Sequence, residues 1–311
     1  MEIDCEVAVV GAGVAGLSCA QSLSQAGRDV RVVEKSRGVG GRVATRRLDE
    51  MSFDHGAPWL EASGTAAFCD WVAACRTAGL LTSWVPVGSA GLVAAPGMNA
   101  FAKPLAEQLA ISLRCHVEHL DRETGHWRLS IAEQGTLSAK TVVLAIPAPQ
   151  ARQLLSRTGW EAGLSDVRMA PCWTVMAAFG EPLPVSALQI GPHGPLGLAI
   201  NNSAKPNRPP GEQWVLHATP KWSEDHIEMD RETVGERLLE SFSSAICCPL
   251  PALQKIMIHR WRYARTTRAL GRPCAWSPER QIGLAGDWCL GNQIGDAWES
   301  GKALARHILG N

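Results

Sequence analysis

The sequence predicts an α/β protein in which a doubly wound parallel sheet carries an inserted α+β domain. Three observations support this fold class. A strand, a glycine-rich turn, a helix and a second strand follow one another over residues 7–34. Near the C-terminus another strand ends in glycine and precedes a helix, and the alternation of helices and strands weakens between about residues 156 and 260. At 311 residues the chain has room for two domains.

The first of these segments has the pattern of a dinucleotide-binding unit. The apolar residues 7–10 predict a buried parallel strand, and the turn that follows reads GAGVAG. In such a turn Gly11 permits the tight bend, Gly13 lets the backbone approach a pyrophosphate, and Gly16 lets the helix pack closely on the sheet. The helix N-terminus offers free N–H groups to phosphates, and Glu34 ends the second strand where ribose hydroxyls lie. The segment predicts a dinucleotide site, and the alternative is an ordinary strand–helix turn.

A basic, glycine-rich loop follows the second strand directly and reads KSRGVGGR at residues 35–42. Glycine permits positive φ values, and an arginine can donate paired hydrogen bonds to a phosphate. The loop leaves the carboxyl edge of the sheet, where the pyrophosphate should lie. Arg42, and less strongly Arg37, are therefore predicted to bind phosphate; the alternative is a basic surface turn.

The remaining elements are predicted in chain order from periodicity and turn residues. Helices are expected over residues 65–78, from Pro96 to Leu109, and over 230–248. Strands are expected over residues 113–118, 141–146, 173–179, 196–200 and 214–218, with a hairpin around 121–125. The proline-rich stretch 205–211 is expected to be a surface loop.

Composition and charge exclude several classes of function. The chain has 30 basic and 30 acidic residues, which argues against a nucleic-acid-binding surface. Its ten cysteines form no C-x-x-C pair and no cluster at zinc spacing, so no metal site is predicted and reduced thiols are expected. No apolar run reaches about 18 residues, and the N-terminus is acidic rather than basic. We therefore expect a cytoplasmic protein that does not enter membranes.

The motifs at the two ends of the chain together resemble those of a known group of enzymes. The glycine motif, the acid and the GGR sequence near the N-terminus are joined by a predicted strand that ends in Gly286-Asp287 and by a helix that follows Gly295. This combination is similar to that of the FAD-dependent oxidoreductases that include amine oxidases, desaturases and protoporphyrinogen oxidases. The resemblance implies a Rossmann-type FAD-binding domain of the glutathione reductase/p-hydroxybenzoate hydroxylase-like kind, with FAD held non-covalently and Cys289 a free thiol.

The resemblance also assigns roles within that domain. It implies that Asp287 meets the ribityl-phosphate region, that the following helix points its positive end at the flavin, that residues 53–59 cross over the flavin, and that Val117 lies against the adenine. The expected cofactor-binding residues are Gly11, Gly13, Ala15, Gly16, Glu34, Lys35, Gly41, Arg42, His55, Gly56, Ala57, Val117, Gly286, Asp287, Ile294 and Ala297. The FAD-binding domain is expected to comprise residues 1–55, 95–155 and 262–311, and the substrate domain residues 56–94 and 156–261.

Further segments narrow the resemblance to the bacterial renalase-like oxidases. They are DHGA at 54–57, PGM at 96–98 with Lys103, AIPAPQA at 145–151, LHAT at 216–219 with WS at 222–223, HRW at 259–261 with YA at 263–264, and GDWC at 286–289. The resemblance implies that the reduced ring of a 2- or 6-dihydro isomer of NAD(P)H passes hydride to flavin N5, and that dioxygen is reduced to hydrogen peroxide. Such a reaction needs positioning more than acid–base chemistry, and the sequence shows no evident nucleophile–base pair.

The candidates for the substrate site are His217, Trp222, Asn201, Arg260 and Trp261. Arg260 is expected to meet a substrate phosphate, and its alternative is an ordinary salt bridge. The alternative for Asn201 is a turn former, and that for His217 is a core histidine.

Two other functions stay open from the sequence. One is an amine or cyclic-amine oxidase or desaturase on the same scaffold, and the other is a flavin-binding module without turnover. Amine oxidases often flank the flavin with two tyrosines, whereas this chain has twelve tryptophans and one tyrosine, Tyr263. The chain is also shorter between Trp84 and Pro96 than in the renalase-like oxidases, and it has Pro58 where a polar residue is expected. Both departures predict a changed substrate cavity.

Overall fold

The structure, a computed structural model, describes residues 3–88 and 90–310. The strands within these residues are β1 (Cys5–Val10), β2 (Val30–Glu34), β3 (Arg46–Leu48), β4 (Met51–Phe53), β5 (Leu60–Glu61), β6 (Leu81–Ser83), β7 (Gly91–Ala94), β8 (Ala110–Leu113), β9 (Val117–Glu123), β10 (His126–Ile131), β11 (Gly135–Leu144), β12 (Arg168–Phe179), β13 (Leu188–His193), β14 (Leu196–Asn201), β15 (Glu212–Ala218), β16 (Leu253–Arg268), β17 (Ala275–Ser277) and β18 (Ile282–Leu284). The α-helices are α1 (Val14–Gln25), α2 (Ala66–Thr77), α3 (Lys103–Ala106), α4 (Ala148–Leu155), α5 (Pro220–Asp225), α6 (Arg231–Ile246) and α7 (Ile294–Leu309).

The largest sheet is built around parallel strands in the order β17-β18-β11-β1-β2-β8. Strands β18, β11, β1, β2 and β8 are parallel, with Val9 of β1 paired to Val143 on one side and Val32 on the other. The hairpin β9–β10 adds to the first half of β11. Two buried clusters cover opposite faces of β1, which explains why this strand is apolar throughout.

A second sheet lies over the carboxyl edge of the first. Its five strands are antiparallel in the order β13-β14-β15-β12-β16. Helix α6 packs against this sheet through Val234, Leu238 and Phe242. The Asp230 side chain caps α6 by accepting a hydrogen bond from Thr233 N at 2.9 Å, and the helix ends where Cys247 takes a positive φ.

A small sheet, β5-β7-β6, joins α2 and the first large sheet in one core. Leu92 of β7 and Trp84, which directly follows β6, are buried there. Trp84 Nε1 donates to the carbonyl of Ala204 at 3.1 Å, so the loop after β14 packs on this small sheet.

The predicted α/β fold class is confirmed, and most elements lie where periodicity placed them. The helices at 65–78 and 230–248 and the three strands between 173 and 218 are present. The predicted strand at 113–118 is wrong, because Arg114 takes a positive φ and separates β8 from β9. The helix from Pro96 to Leu109 is shorter than expected: a 3₁₀ turn over Met98–Ala102 leads into α3, which ends at Ala106.

The stretch 205–211 corrects a second expectation. It is not a simple surface loop, because the side chains of Lys205 and Arg208 are almost completely buried. The predicted domain boundary between residues 261 and 262 falls inside β16. The division into two domains stays a prediction, although the five-stranded sheet comes entirely from residues 168–268. No helix of the described residues is long and apolar enough to cross a membrane.

Candidate functional site

A cavity of about 1840 Å³ lies between the carboxyl edge of the parallel sheet and the five-stranded sheet. We call its two parts the nucleotide lobe and the second lobe. The nucleotide lobe is lined by residues that follow the parallel strands, among them Gly13, Glu34, Arg42, Val117 and Asp287. The second lobe is lined by the five-stranded sheet and its loops, among them Cys172, Leu198, His217, Arg231, His259 and Trp261.

The glycine motif has the separate roles that the sequence predicts. A Cβ on Gly11 would lie 2.6 Å from the carbonyl oxygen of Ala145, and one on Gly16 would overlap the carbonyl oxygen of Gly11. A Cβ on Gly13 would meet nothing within 4 Å. Gly11 and Gly16 are therefore required by packing of the protein itself. The space over Gly13 is open toward the cavity, as a bound pyrophosphate requires.

The GGR loop packs directly on this turn. Gly40 N donates to the carbonyl of Ala12 at 2.8 Å, and a Cβ on Gly41 would lie 3.2 Å from Gly13 Cα. Arg42 then reaches the C-terminal motif: it forms a two-pronged ion pair with Asp287, with Nη1 3.0 Å from Oδ2. The two motifs at opposite ends of the chain thus meet at one place in the nucleotide lobe.

Glu34 is held in position by the protein on the side facing the glycine turn. Its Oε2 accepts from Ala12 N and its Oε1 from Ser36 N, each at 2.8 Å. A carboxylate has about four acceptor sites, so capacity is left for ribose hydroxyls. Together with the uncapped N-terminus of α1 at Gly13, these residues fit the adenine dinucleotide part of FAD.

The segment His55–Trp59 forms a wall between the two lobes, and all five of its residues line the cavity. A Cβ on Gly56 would overlap the carbonyl oxygen of Arg42, which also accepts from Ala57 N at 2.8 Å. From the other side, Trp261 Nε1 donates to the carbonyl of His55 at 2.9 Å. The wall is therefore fixed to the GGR loop on one side and to the five-stranded sheet on the other.

Three histidines and a tryptophan meet where the wall faces the five-stranded sheet. His217 on β15 and His259 on β16 both pair with Thr174 of the intervening strand, and Thr174 Oγ1 lies 3.1 Å from His217 Nδ1. The His55 ring lies 5.1 Å from that of His259 and stacks 5.2 Å from Trp261. The His259 ring stands edge-on to both His55 and Trp261, so these rings form a packed aromatic cluster at the boundary of the second lobe.

Burial and neighbouring charges hold these histidines neutral. Burial, His259 and Arg46 lower the pKa of His55 to about 4. Burial, His55 and Lys205 lower the pKa of His217 to about 3, and burial, Arg46 and Arg231 lower that of His259 to about 4. Neutral imidazoles neither repel a cationic product nor serve as proton donors at neutral pH.

These shifts predict a pH-dependent stability. The unfolded chain binds a proton on each histidine near pH 6.5, whereas the folded chain does so only near pH 3–4, so the free energy of unfolding should fall as pH falls below about 6.5. Urea unfolding of the apoprotein at pH 7.5 and 4.5 tests this. The free energy of unfolding that is lost between pH 7.5 and pH 4.5 should be smaller in His55→Gln than in the unmodified chain, by on the order of 2 kcal/mol. An equal loss in both proteins would contradict it.

The cavity brings together nearly all of the predicted cofactor residues. Its lining includes Gly11, Gly13, Ala15, Glu34, Lys35, Gly41, Arg42, His55, Gly56, Ala57, Val117, Gly286, Asp287, Ile294 and Ala297. Gly16 packs behind the turn. Cys289 is buried away from the lining residues, and burial raises the pKa of its thiol to about 12, so this cysteine is not placed for a flavin bond.

The predicted substrate residues separate into two groups. His217, Arg260 and Trp261 line the second lobe. Asn201 is instead in a turn, where its Oδ1 accepts from Ala204 N at 3.3 Å, and Trp222 stacks on His226 at 4.6 Å away from the cavity. Arg260 Nη1 is 2.7 Å from Glu228 Oε2, so its guanidinium is already paired.

The shortened segment between Trp84 and Pro96 does not border the cavity as expected. No described residue between Glu61 and Asn99 belongs to the lining, because Trp84 and Leu92 are buried in the core of the small sheet. Pro58 does line the cavity. Of the two sequence departures, only Pro58 therefore bears on the shape of the cavity.

Among the lining residues that sequence reasoning missed are His259, Arg46 and Arg231. A signal existed for His259, which lies two positions before Trp261 on a strand and so shares its face. Arg46 and Arg231 lie at the start of β3 and α6, and only the tertiary structure brings these distant segments to one cavity.

Comparisons with known proteins agree with this architecture. Residues 60–309 match the model of the flavin containing amine oxidoreductase family, and residues 9–71 match that of the NAD(P)-binding Rossmann-like domain. A protein from Exiguobacterium sp. 255-15 assigned as a protoporphyrinogen oxidase superposes with a TM-score of 0.78 at 15% identity and 100% coverage of both chains. Putrescine oxidase bound to putrescine superposes with a TM-score of 0.73 at 13% identity and 99% coverage of both.

Two curated relatives are similar over short segments. Carotenoid 3,4-desaturase of Haloarcula japonica is 44% identical over 54 residues, 17% of this chain and 11% of that protein. Putrescine oxidase of Kocuria rosea is 41% identical over 63 residues, 20% of this chain and 13% of that protein. The match to these relatives thus spans about an eighth or less of their length.

Proposed function

The chain belongs to the family of flavin-containing amine oxidoreductases and its cofactor is FAD, and from this premise we propose that it is a renalase-like oxidase. Its substrate is a 2- or 6-dihydro isomer of NAD(P)H. When bound in the nucleotide lobe, FAD would supply the hydride acceptor, at flavin N5, and the two-electron chemistry that reduces dioxygen. One substrate, one dioxygen and one proton give NAD(P)⁺ and hydrogen peroxide, so the reaction balances.

The charge of the second lobe is the observation that carries this choice. Arg46, Arg231 and Arg265 line the cavity on the side of the five-stranded sheet and the adjoining strand β3. Two further lining arginines, Arg260 and Arg262, are both paired with Glu228. The acids among the described lining residues, Glu34, Glu61, Glu118 and Asp287, come from other segments. Such a surface favours a phosphate-bearing, anionic substrate and opposes an ammonium ion.

The second lobe supports positioning rather than acid–base catalysis. His55 and Trp261 stack on each other at the edge of the lobe, and the lowered pKa values of His217 and His259, about 3 and about 4, make these two imidazoles weak bases. Oxidation of a dihydropyridine ring gives an aromatic cation directly, so no proton has to be removed from carbon. The residues of the lobe would orient the ring and exclude water.

An amine or cyclic-amine oxidase or a desaturase is the second candidate. The family name and the likeness to putrescine oxidase and carotenoid desaturase favour it. Against an amine stand the arginines of the second lobe and the single tyrosine, Tyr263. A flavin-binding module without turnover is a weaker alternative. Such a module would need the nucleotide lobe but not the second lobe.

An anaerobic stopped-flow experiment separates these candidates. The holoprotein is mixed in turn with 6-dihydro-NAD(P), 2-dihydro-NAD(P), ordinary NADH and a panel of amines, and the visible absorption of oxidised flavin is followed. Fast bleaching by a dihydro isomer, with an equal amount of NAD(P)⁺ formed, is expected. Bleaching by amines alone would replace the proposal with the second candidate, and no bleaching by any reductant would favour the binding module.

Arg231 provides a test of substrate charge. Replacing Arg231 with Met should raise the KM for the phosphorylated substrate about tenfold or more and leave kcat nearly unchanged, because a charge-assisted hydrogen bond contributes about 1.5–3 kcal/mol. Arg28→Met, at a surface ion pair with Glu6, is the matched control. An unchanged KM in Arg231→Met and in Arg46→Met would contradict an anion site formed by these arginines.

A further inference from the structure

A buried ionic cluster lies directly behind the His55–Trp59 wall. Asp54 is fully buried and accepts four hydrogen bonds: Oδ1 from Thr45 Oγ1 at 2.7 Å and Met98 N at 2.8 Å, and Oδ2 from Lys205 Nζ at 2.9 Å and Arg208 Nη2 at 2.7 Å. The side chains of Lys205 and Arg208 are 1% and 0% exposed. One carboxylate therefore faces two cationic side chains in the interior.

The cluster has one carboxylate and two basic side chains, so its charges cancel only if Lys205 is neutral. Burial raises the pKa of Asp54, but Lys205 and Arg208 outweigh it and lower that pKa to about 2, so the carboxylate is ionised. Arg208 is always charged, and its Nε has no partner among the described residues. Burial lowers the pKa of Lys205, and the charge of Asp54 opposes that change. With Lys205 protonated, the cluster has one net positive charge.

Stability alone does not explain the second cation. An Asp54–Arg208 pair would already satisfy the carboxylate, and burying another ammonium carries a desolvation penalty of several kcal/mol before its contacts are counted. Lys205 Nζ makes one further strong contact, a hydrogen bond of 2.8 Å to the carbonyl of Pro58. Pro58 belongs to the wall and lines the cavity. The extra cation is therefore joined to the element that crosses the cofactor site.

The loop that provides the cation also holds the start of the wall. Asn202 Nδ2 donates to the carbonyl of Ser52 at 2.7 Å, and Asn202 Oδ1 accepts from Asp54 N at 3.2 Å. Arg208 Nη2 donates to the carbonyl of Ala94 at 2.7 Å, which ties the same loop to the small sheet. The position of Lys205 relative to the wall is thus fixed from several directions.

We propose that Lys205 is a positioning residue of the flavin site, whose buried positive charge acts through the Pro58 wall to favour the reduced, negatively charged cofactor over the oxidised one. Reduction of FAD by hydride adds negative charge to the flavin, and a fixed cation behind a low-dielectric wall stabilises that state. The inference rests on FAD as the cofactor and is independent of which substrate supplies the hydride.

The experiment compares Lys205→Met with Lys140→Met, which removes an exposed lysine from β11. The midpoint potential of each holoprotein is measured by equilibration with a redox dye, so no substrate enters the measurement. Lys205→Met should weaken the affinity for reduced FAD relative to oxidised FAD about tenfold, which is about 30 mV for a two-electron couple. Lys140→Met should leave the ratio of the two FAD affinities unchanged. Lys205→Arg, which keeps the positive charge, should retain most of the preference for reduced FAD.

Two results would overturn the proposal. If Lys205→Met weakens binding of oxidised and reduced FAD equally, Lys205 only holds the wall in place. If neither affinity changes, the cluster has no effect on the cofactor. Should Lys205→Met fail to fold, Lys205→Gln, which keeps a polar hydrogen-bond donor without the charge, is measured against the same criterion. Failure of the dihydronicotinamide substrates in stopped flow would leave these outcomes unaffected.

Discussion

Replacing Gly13 with leucine should abolish FAD binding while the apoprotein keeps its fold. The backbone of Gly13 has an ordinary negative φ, and a side chain there would enter open space rather than the protein. That space is where the pyrophosphate has to approach the backbone. We expect the dissociation constant for FAD to rise at least about a hundredfold, since a buried clash cannot be relieved by a rigid βαβ turn. Equilibrium dialysis of the apoprotein with FAD measures it.

Gly16→Leu is the matched comparison in the same motif. A Cβ at Gly16 would overlap the carbonyl oxygen of Gly11, so this variant should lose both FAD binding and thermal stability. Gly13→Leu should change the free energy of unfolding of the apoprotein by less than about 1 kcal/mol. A loss of stability in Gly13→Leu as large as that in Gly16→Leu would mean that the space over Gly13 has a structural role.

Replacing Asp54 with alanine should destabilise the protein by about 3–5 kcal/mol, because it leaves two buried cations without their counter-ion. The effect depends on pH with a definite sign. The pKa of Asp54 is near 2 in the folded chain and near 3.9 when unfolded, so its contribution is present above about pH 4 and is lost as pH falls toward 2. Urea unfolding at pH 7.5 gives the magnitude.

The double variant Asp54→Ala with Lys205→Met distinguishes charge from packing. If stranded charge causes the loss, removing Lys205 as well should recover at least about 1 kcal/mol relative to Asp54→Ala alone. Additive or larger losses in the double variant would show that Asp54 acts through its hydrogen bonds to Thr45 and Met98 instead.

The nucleotide lobe could be predicted from the sequence because its residues are consecutive or belong to strong local motifs. Gly11, Arg42 and Asp287 follow parallel strands, and Glu34 ends one. Because parallel strands end at the same edge of a sheet, these residues can be placed together from the sequence. The ion pair between Arg42 and Asp287 is the direct consequence, since the strands before these residues belong to the same sheet.

The second lobe could be predicted only in part. The predicted residues His217 and Trp261 line the cavity, whereas Asn201 and Trp222 do not. The sequence of a turn or a short helix does not show which side of a sheet its residues face. Lys205 and Arg208 were missed for a related reason. A stretch rich in proline and charge has the composition of a surface loop, and only the buried carboxylate of Asp54, 151 residues away in sequence from Lys205, makes its burial favourable.

The length of β16 has a practical consequence for anyone who would divide this protein. One uninterrupted strand begins at Leu253, contributes His259 and Trp261 to the second lobe, and ends beyond Thr266, whose hydroxyl donates to Asp287 at 3.1 Å in the nucleotide lobe. A fragment cut near residue 261 would sever this strand in the middle of its pairing with β12. Limited proteolysis should therefore release no separately folded piece, and heating should melt both large sheets in a single cooperative transition that bound FAD shifts to higher temperature.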